Sequence, residues 1–165
     1  LAAELAGDVN VVINNAGVST RADLLNGPLD DVRLEMETHY FGTLNVVRAF
    51  APIIERNGGG GILNVLSVLS WLHPASSGAY SAAKAAGWAL TDAIREELAP
   101  KGIHVAALHV GYMDTDMVSD IPAEQKMDPG VVAKLALDGL FAGRPEILAD
   151  DLTRNVKAQL AVSPQ

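Results

Sequence analysis

The sequence contains no cysteine, which excludes disulfides, thiolate zinc sites and a cysteine nucleophile. It has no apolar run of the roughly 20 residues that a membrane-spanning helix requires, and its first residues show no signal-peptide pattern. Basic side chains are also scarce, since 12 lysines and arginines stand against 20 aspartates and glutamates. The formal net charge of −8 argues against a nucleic-acid backbone as partner. We therefore expect a cytoplasmic protein that binds neither nucleic acid nor a membrane.

Apolar residues are abundant, at 49% of the 165 residues, and this balance is typical of one globular domain. Continuous apolar runs predict strands at about 9–13, 61–66, 103–109 and 146–149. Helical patterns predict helices at about 29–56, bent near Gly42, at about 79–98, and from Pro129 onward. Strands buried on both faces and alternating with helices predict an α/β fold with a parallel sheet.

Tyr80 and Lys84 stand four apart in a strongly helical segment, so their side chains share one helix face. A free phenol titrates near pH ~10 and is a poor base at neutral pH. One cation about 4 Å away, at an effective dielectric of about 20, would contribute about 4 kcal/mol, enough to bring that pKa near neutrality. The pair predicts an acid/base tyrosine, although such spacing also occurs by chance on solvated helix faces.

Polar motifs follow three of the predicted strands. Asn14-Asn15-Ala16-Gly17 follows the first strand, Ser67 ends the second, and the segment from Gly111 to Thr115 follows the third. Open parallel sheets bind their ligands beyond the carboxyl ends of the strands. The sequence therefore predicts a ligand site at this edge, which includes Tyr80 and Lys84.

With these motifs in this order, from about Val9 onward, the chain resembles the classical short-chain dehydrogenase/reductase family. The matching features are Asn-Asn-Ala-Gly, a serine thirteen residues before the tyrosine, Tyr-x-x-x-Lys, and Gly-x-x-x-Thr. The resemblance implies a Rossmann-like, doubly wound parallel sheet in three α/β/α layers. It also implies an oxidoreductase that uses NAD or NADP to transfer hydride to or from an alcohol, ketone or aldehyde.

The resemblance assigns roles to individual residues. Tyr80 exchanges a proton with the substrate oxygen, Lys84 lowers the pKa of Tyr80 and holds the nicotinamide ribose, and Ser67 binds the substrate oxygen. Ser67 could instead only cap a turn, and Thr115 could be a helix N-cap. No metal site is expected. The residues expected to line the cofactor, besides Tyr80 and Lys84, are Asn14, Asn15, Ala16, Gly17, Gly111, Met113 and Thr115.

His39 departs from the family pattern. The family has an asparagine three residues before a glycine in the long helix, and here Gly42 places His39 at that position. That asparagine helps to hold a water that relays protons to the lysine. A histidine can also donate, accept and relay protons, or it can be a packing residue that the site tolerates. Both interpretations of His39 stay open.

The four glycines at 58–61 do not form a phosphate-binding loop, because they follow a helix and precede a strand, the reverse of the required order. The family's pyrophosphate loop and the residue that selects NAD or NADP have no counterpart here. Leu1–Gly7 is typical of the end of a helix from the cofactor half. We therefore expect residues 1–165 to be a single partial domain of a larger enzyme, with a substrate region at about 112–165.

Two other functions are open: a catalytically impaired, dinucleotide-binding or regulatory relative, and a member of the extended branch that modifies nucleotide sugars. The Asn-Asn-Ala-Gly form and the short C-terminal region argue against the extended branch.

An apolar substrate pocket is predicted from Trp71, Tyr112, Met113 and Met117. The family resemblance implies a homodimer or homotetramer through helices at about 29–57 and 79–99. The residues expected to let these helices approach are Ala82, Ala83, Ala86, Trp88 and Ala89.

Overall fold

The computed structural model describes residues 6–160 and contains one sheet of four parallel strands in the order β1-β2-β3-β4. The predicted strands are confirmed, with ends shifted by no more than two residues, and so is the α/β fold class. The strands are β1 (Val11–Asn14), β2 (Gly60–Val65), β3 (Ile103–His109) and β4 (Glu146–Leu148).

Within residues 6–160, five α-helices accompany the sheet: α1 (Leu29–Met36), α2 (Thr43–Arg56), α3 (Gly78–Leu98), α4 (Pro129–Phe141) and α5 (Asp151–Gln159). The long helix predicted over 29–56 is confirmed in its bounds, since the chain is helical from 29 to 56 without a break, but a π-helical segment, Glu37–Gly42, lies between α1 and α2. Helix α5 was not predicted. It begins at a capping box, in which the Asp150 carboxylate accepts a hydrogen bond from Thr153 N and the Thr153 hydroxyl faces the Asp150 backbone.

The sheet is the middle layer of three. Successive residues of the central strands point to opposite faces, so that Ile62 joins one hydrophobic cluster and Leu63 the other. The first cluster packs β2 and β3 against α2 and α3. The second packs the opposite face against α4. Burial on both faces explains why β2 and β3 are apolar without a polar alternation.

The glycine-rich segment is the predicted connection from helix to strand, and this prediction is confirmed. Gly58 and Gly59 adopt φ angles of +90° and +97°, which favour glycine, and Gly60 already belongs to β2. The helix end expected at Leu1–Gly7 lies mostly outside the described residues, and Gly7 is in a turn. No helix within residues 6–160 is long and apolar enough to cross a membrane.

The topology brings the carboxyl ends of the parallel strands to one edge of the sheet. Helix α3 begins near that edge. Further along the helix, Gly87 lets α3 pack closely against the residue after β2, Leu66, and against the π-helical segment. A Cβ atom at Gly87 would lie 3.3 Å from Leu66 Cδ2 and 3.6 Å from the carbonyl oxygen of His39. The motif segments after β1, β2 and β3 therefore converge with α3 and the π-helical segment.

Candidate active site

Tyr80 and Lys84 lie in the first two turns of α3 and face the end of β2. The Lys84 side chain is buried, and its Nζ donates a hydrogen bond of 2.9 Å to the carbonyl oxygen of Val65. The same Nζ is 5.5 Å from the centroid of the Tyr80 ring. The structure therefore brings the two side chains together on one helix face, as the spacing predicted.

Burial lowers the pKa of Lys84 from 10.5 to about 8, while the nearby Glu35 carboxylate acts in the opposite direction. At neutral pH the side chain is therefore still an ammonium group. An ammonium has three N–H donors, and Val65 accepts only one of them. Lys84 thus has donors left for the hydroxyls of a ribose, so the arrangement fits the cofactor contact that the family resemblance implies.

Burial, with a smaller contribution from the Glu35 carboxylate, raises the pKa of Tyr80 to about 12, and a hydrogen bond with Ser67 acts in the opposite direction. The prediction that Lys84 brings this pKa near neutrality is wrong for this arrangement. The Lys84 ammonium is directed at the Val65 carbonyl oxygen, and the phenol lies in a poorly hydrated position. The phenol therefore remains protonated at neutral pH, the form that acts as a proton donor.

Ser67 follows β2 with an extended backbone, and its hydroxyl oxygen accepts a hydrogen bond of 3.1 Å from Leu69 N. The structure therefore confirms the alternative in which Ser67 caps a turn. The same buried hydroxyl also reaches Tyr80, whose pKa it lowers. The two roles are compatible, because one hydroxyl accepts from the backbone with a lone pair and still has its own hydrogen to donate.

His39 lies in the π-helical segment with its imidazole buried against the site. Its Nε2 is 2.8 Å from the carbonyl oxygen of Val18, and its ring meets the Tyr80 ring edge to face with centroids 5.1 Å apart. Burial lowers the pKa of His39 to about 4, the charge of Lys84 acts in the same direction, and the Val18 contact opposes both. The imidazole is therefore neutral at physiological pH and does not repel Lys84.

Glu35, which the sequence reasoning missed, is completely buried on α1. Its Oε1 accepts hydrogen bonds of 2.7 Å from Thr20 N and 3.0 Å from Thr20 Oγ1. Its Oε2 is 3.3 Å from His39 Nε2. The sequence feature that could have indicated this residue is its spacing. Glu35 is four residues before His39 and three after Val32, so it shares their inward face of the helix.

Asn14 is fixed by a chain of buried amides and hydroxyls. Its Nδ2 donates 2.8 Å to Asn64 Oδ1, and Asn64 Nδ2 donates 2.9 Å to Thr91 Oγ1 in α3. Sequence reasoning missed Asn64 because it lies within an apolar run, yet it is aligned with Asn14 across the sheet. The chain links β1, β2 and α3 at the level of the site.

Asn15, Ala16 and Gly17 are exposed beyond the end of β1, where they are available to a ligand. Gly17 passes close to the proposed catalytic residues. A Cβ atom at Gly17 would lie 3.0 Å from His39 Cε1, so a larger residue there would press on the imidazole.

The segment after β3 contains the remaining predicted cofactor residues. Gly111 N donates 2.7 Å to Asp150 Oδ2, so this amide is already paired. Met113 forms a bridge with Met127. Thr115 is exposed and precedes a short 3₁₀ turn, but its side chain makes no capping hydrogen bond there. The N-cap alternative for the Thr115 hydroxyl is therefore wrong.

Trp71 does not line an apolar pocket as predicted. It is buried, and its ring stacks on His109 with centroids 3.9 Å apart and meets Trp88 edge to face. Trp71 is a core residue because the indole is covered by this aromatic cluster. Tyr112 and Met117, in contrast, are each 41% exposed beyond β3.

Arg21 and Asp120 join the segments that follow β1 and β3. The guanidinium donates to both carboxylate oxygens, at 3.0 and 2.8 Å, and both side chains are exposed. Arg21 has a φ angle of +55°, which is unusual for a residue other than glycine. This exposed ion pair thus crosses the edge of the sheet at which the site lies.

The chain has relatives among known proteins. The family model described as "short chain dehydrogenase" matches residues 1–126. Dehydrogenase/reductase SDR family member 7B of Xenopus laevis is 33% identical over 152 residues, which are 92% of this chain and 46% of that protein. Probable oxidoreductase EphD of Mycobacterium tuberculosis is 29% identical and covers 96% of this chain and 28% of that protein. The chain thus spans about half the length, or less, of these curated relatives.

Solved structures show the same fold. A short chain dehydrogenase from Burkholderia cenocepacia, crystallised in complex with NADP, matches with a TM-score of 0.92 at 36% identity, over 98% of this chain and 70% of that one. A short-chain dehydrogenase from Sphingobium yanoikuyae in complex with NADPH matches with a TM-score of 0.79 at 20% identity, which supports the fold alone. The Rossmann-like fold expected from the motifs is confirmed. The chain belongs to the classical short-chain dehydrogenase/reductase family.

Proposed function

We propose that the protein is an NAD(P)-dependent oxidoreductase that transfers hydride between a nicotinamide cofactor and an alcohol, ketone or aldehyde. The observation that carries the proposal is the convergence of Ser67, Tyr80 and Lys84 at the carboxyl end of β2. Lys84 is held there by Val65, with Tyr80 beside it and Ser67 within reach of the phenol. Family membership supports this assignment of roles.

The nicotinamide, when bound, supplies or accepts the hydride. The residues of this chain supply the proton and the position. Ser67 donates a hydrogen bond to the substrate oxygen, and Tyr80 gives that oxygen its proton during carbonyl reduction. Because the pKa of Tyr80 is raised to about 12, the phenol holds its proton at neutral pH.

The residues proposed to hold the dinucleotide are Lys84, through its remaining donors, and the segments after β1 and β3. Asn15, Ala16 and Gly17 are exposed, with Gly17 next to His39, and Met113 and Thr115 follow β3. The relative of known structure at 36% identity was crystallised with NADP, which makes NADP the first dinucleotide to test and NAD the second.

The substrate region is proposed to be the segment at about 112–165. The exposed, largely apolar side chains of Tyr112 and Met117 follow β3 at the edge where Tyr80 lies. They support an apolar alcohol or carbonyl compound as substrate. The ion pair of Arg21 with Asp120 would help to order this segment over the site.

A homodimer or homotetramer through α1, α2 and α3 is proposed, in a cytoplasmic protein. Ala82, Ala86 and Ala89 are exposed or half-buried along α3, and they would let a second copy approach closely. Ala83 and Trp88 do not belong to this face. Ala83 is fully buried, and Trp88 packs on Trp71. Light scattering of the full-length protein at the mass of a monomer would contradict the proposal.

The experiment that tests the activity is a spectrophotometric assay of the full-length protein with NADPH and NADH against a panel of apolar ketones and aldehydes. The expected result is dinucleotide oxidation that depends on the carbonyl compound. The alternative of an impaired or regulatory relative rests on His39, which replaces the family's asparagine. Calorimetric binding of the dinucleotide without turnover of any carbonyl compound would favour that alternative.

A further inference from the structure

Glu35 is a buried acid without a structural explanation of its own. It is 0% exposed, and removing a carboxylate from water is costly unless every oxygen is paired. Thr20 donates two hydrogen bonds to Oε1. Oε2 has no hydrogen-bond donor within residues 6–160, and its near neighbour is the imidazole of His39, 3.3 Å away. An apolar residue would fill this position on α1 at less cost, so the carboxylate requires another reason.

The contacts of His39 determine which ring nitrogen carries the proton. Nε2 is 2.8 Å from the carbonyl oxygen of Val18 and 3.3 Å from Glu35 Oε2, and both atoms are acceptors. The amide of Val18 is a more distant donor, at 3.5 Å. A bare Nε2 lone pair would be repelled by two oxygens, so Nε2 holds the hydrogen and directs it to Val18. Nδ1 of the neutral ring is then an acceptor.

The position of Nδ1 shows which part of the site this hydrogen-bond acceptor faces. The Nδ1–Cε1 side of the ring faces Gly17, where an added Cβ would lie 3.0 Å from Cε1 and 3.8 Å from Nδ1. Gly17 belongs to the segment proposed to hold the dinucleotide. The imidazole also meets the Tyr80 ring edge to face, with centroids 5.1 Å apart. The Nδ1 lone pair is therefore placed beside the proposed cofactor segment, in a ring that contacts the proposed acid.

We propose that Glu35 is a positioning residue that holds His39 in the Nε2–H tautomer and so keeps Nδ1 as a hydrogen-bond acceptor beside Gly17. This inference rests on the proposed oxidoreductase function, and it deepens that function by naming a residue that acts through His39. The hydrogen bonds from Thr20 fix the carboxylate, and its Oε2, 3.3 Å from Nε2, acts together with the Val18 carbonyl oxygen to favour a proton on that nitrogen.

The first test reads the tautomer directly. The full-length protein with ¹⁵N-labelled histidine is examined by NMR at neutral pH, and the His39 signals are assigned by their loss in His39→Asn. We expect a protonated Nε2 and a bare Nδ1 in the parent. Glu35→Gln keeps the size and the oxygen that faces Thr20, but it turns an NH₂ donor toward Nε2. The expected result is a shift of His39 toward the Nδ1–H tautomer.

The second test measures coupling between the two residues. We expect Glu35→Gln to lower kcat about tenfold, with the KM for the carbonyl substrate little changed, because side chains in contact couple by this order. In the His39→Asn background the same substitution is expected to change kcat by less than about twofold. Glu37→Gln, at an exposed position of the neighbouring turn, is the matched control. Thermal unfolding of each variant checks that the fold is kept.

Each outcome decides the proposal. A protonated Nδ1 in the parent, or a tautomer that Glu35→Gln leaves unchanged, overturns it. Equal losses of kcat from Glu35→Gln in the two backgrounds also overturn it, because Glu35 would then act independently of His39. If the parent turns over no carbonyl compound, the proposed function fails, while the NMR arm still decides whether Glu35 sets the tautomer of His39.

Discussion

The Nζ of Lys84 donates a hydrogen bond of 2.9 Å to the carbonyl oxygen of Val65, the last residue of β2. This contact attaches the first turns of α3 to the carboxyl edge of the sheet. It also explains why Lys84 can be buried as a cation, since the bond partly replaces the water that the ammonium loses. The geometry of the candidate site therefore depends on the sheet and on the helix together.

Tyr80→Phe is expected to lower turnover at least ~10²-fold, because the ring is kept while the only proton that Tyr80 can exchange is removed. The measurement is the rate of carbonyl-dependent dinucleotide oxidation by the full-length protein. Tyr40→Phe is the matched control, since Tyr40 packs against the core cluster of α2 and α3. Near-normal turnover by Tyr80→Phe would show that another group supplies the proton.

Lys84→Met is expected to change how stability depends on alkaline pH. The pKa of Lys84 is about 8 in the folded protein, and an unfolded lysine titrates near ~10.4. Between these values the unfolded chain binds more protons, so the free energy of unfolding of the parent rises with pH by about 3 kcal/mol in total. Chemical denaturation between pH 7.5 and 9.5 should show more than half of this rise, about 2 kcal/mol, in the parent and lose it in Lys84→Met.

The control for that experiment is Lys134→Met, because the Lys134 side chain is 77% exposed. This substitution should leave the dependence of the free energy of unfolding on pH unchanged.

Above pH ~10 a second group, Tyr80, changes the stability in the opposite direction. The pKa of Tyr80 is raised to about 12 in the folded state, so an unfolded tyrosine loses its proton first and stability falls. If Lys84→Met leaves the alkaline rise in the free energy of unfolding unchanged, Lys84 is not a buried ammonium group in the folded protein.

His39→Leu is expected to lower turnover more than His39→Asn, because leucine can neither donate nor accept a hydrogen bond beside Tyr80. Since burial lowers the pKa of His39 to about 4, the pH–rate profile of the parent should show no step near 6.5 from this residue. The measurement is kcat against pH for the three proteins. Equal rates for the parent and His39→Leu would reduce His39 to a packing residue.

His109→Phe is expected to reduce acid sensitivity. Burial lowers the pKa of His109 to about 3, whereas an unfolded histidine titrates near ~6.5. As the pH falls below ~6.5 the unfolded chain takes up a proton that the folded state refuses, so stability is lost. Between pH 6.5 and 4 this loss is about 3 kcal/mol for one such group. Phenylalanine keeps the stacking on Trp71 and removes the titration.

The matched control for His109→Phe is a substitution of the exposed His73, such as His73→Gln. Urea unfolding at pH 7, 5.5 and 4.5 gives the comparison. The parent and the control should lose the same stability on acidification, and His109→Phe should lose less. If all three lose stability in parallel, His109 does not contribute to the acid sensitivity.

The sequence was sufficient for the parts of this fold that have a local signature. Strands buried on both faces are continuous apolar runs, so β2 and β3 could be located within a residue, and the order of the motifs after them placed Ser67 beside Tyr80. Helix α5 also had a signature, since Asp150 and Thr153 form a capping box. It was overlooked because its exposed sequence lacks a strong apolar stripe.

Other features depend on the tertiary environment and could not be predicted in this way. A glutamate in a helix is normally solvated, and only the approach of Thr20 and His39 shows that Glu35 is buried. The pKa of Tyr80 was expected to fall because Lys84 is near. It rises because desolvation and Glu35 outweigh a cation that is turned toward Val65.

The π-helical segment, Glu37–Gly42, has a consequence for how this protein can tolerate insertions and deletions. A π turn holds one residue more than an α turn would need. Deleting one residue there, other than His39, would restore a continuous α-helix and leave α1 and α2 in nearly the same relative rotation, because the π turn already absorbs the additional residue. Glu35 on α1 and the apolar face of α2 would keep their directions, whereas His39 lies inside the segment and would shift along the helix. A single-codon deletion in this segment would therefore spare the packing of both helices and displace the imidazole of the candidate site.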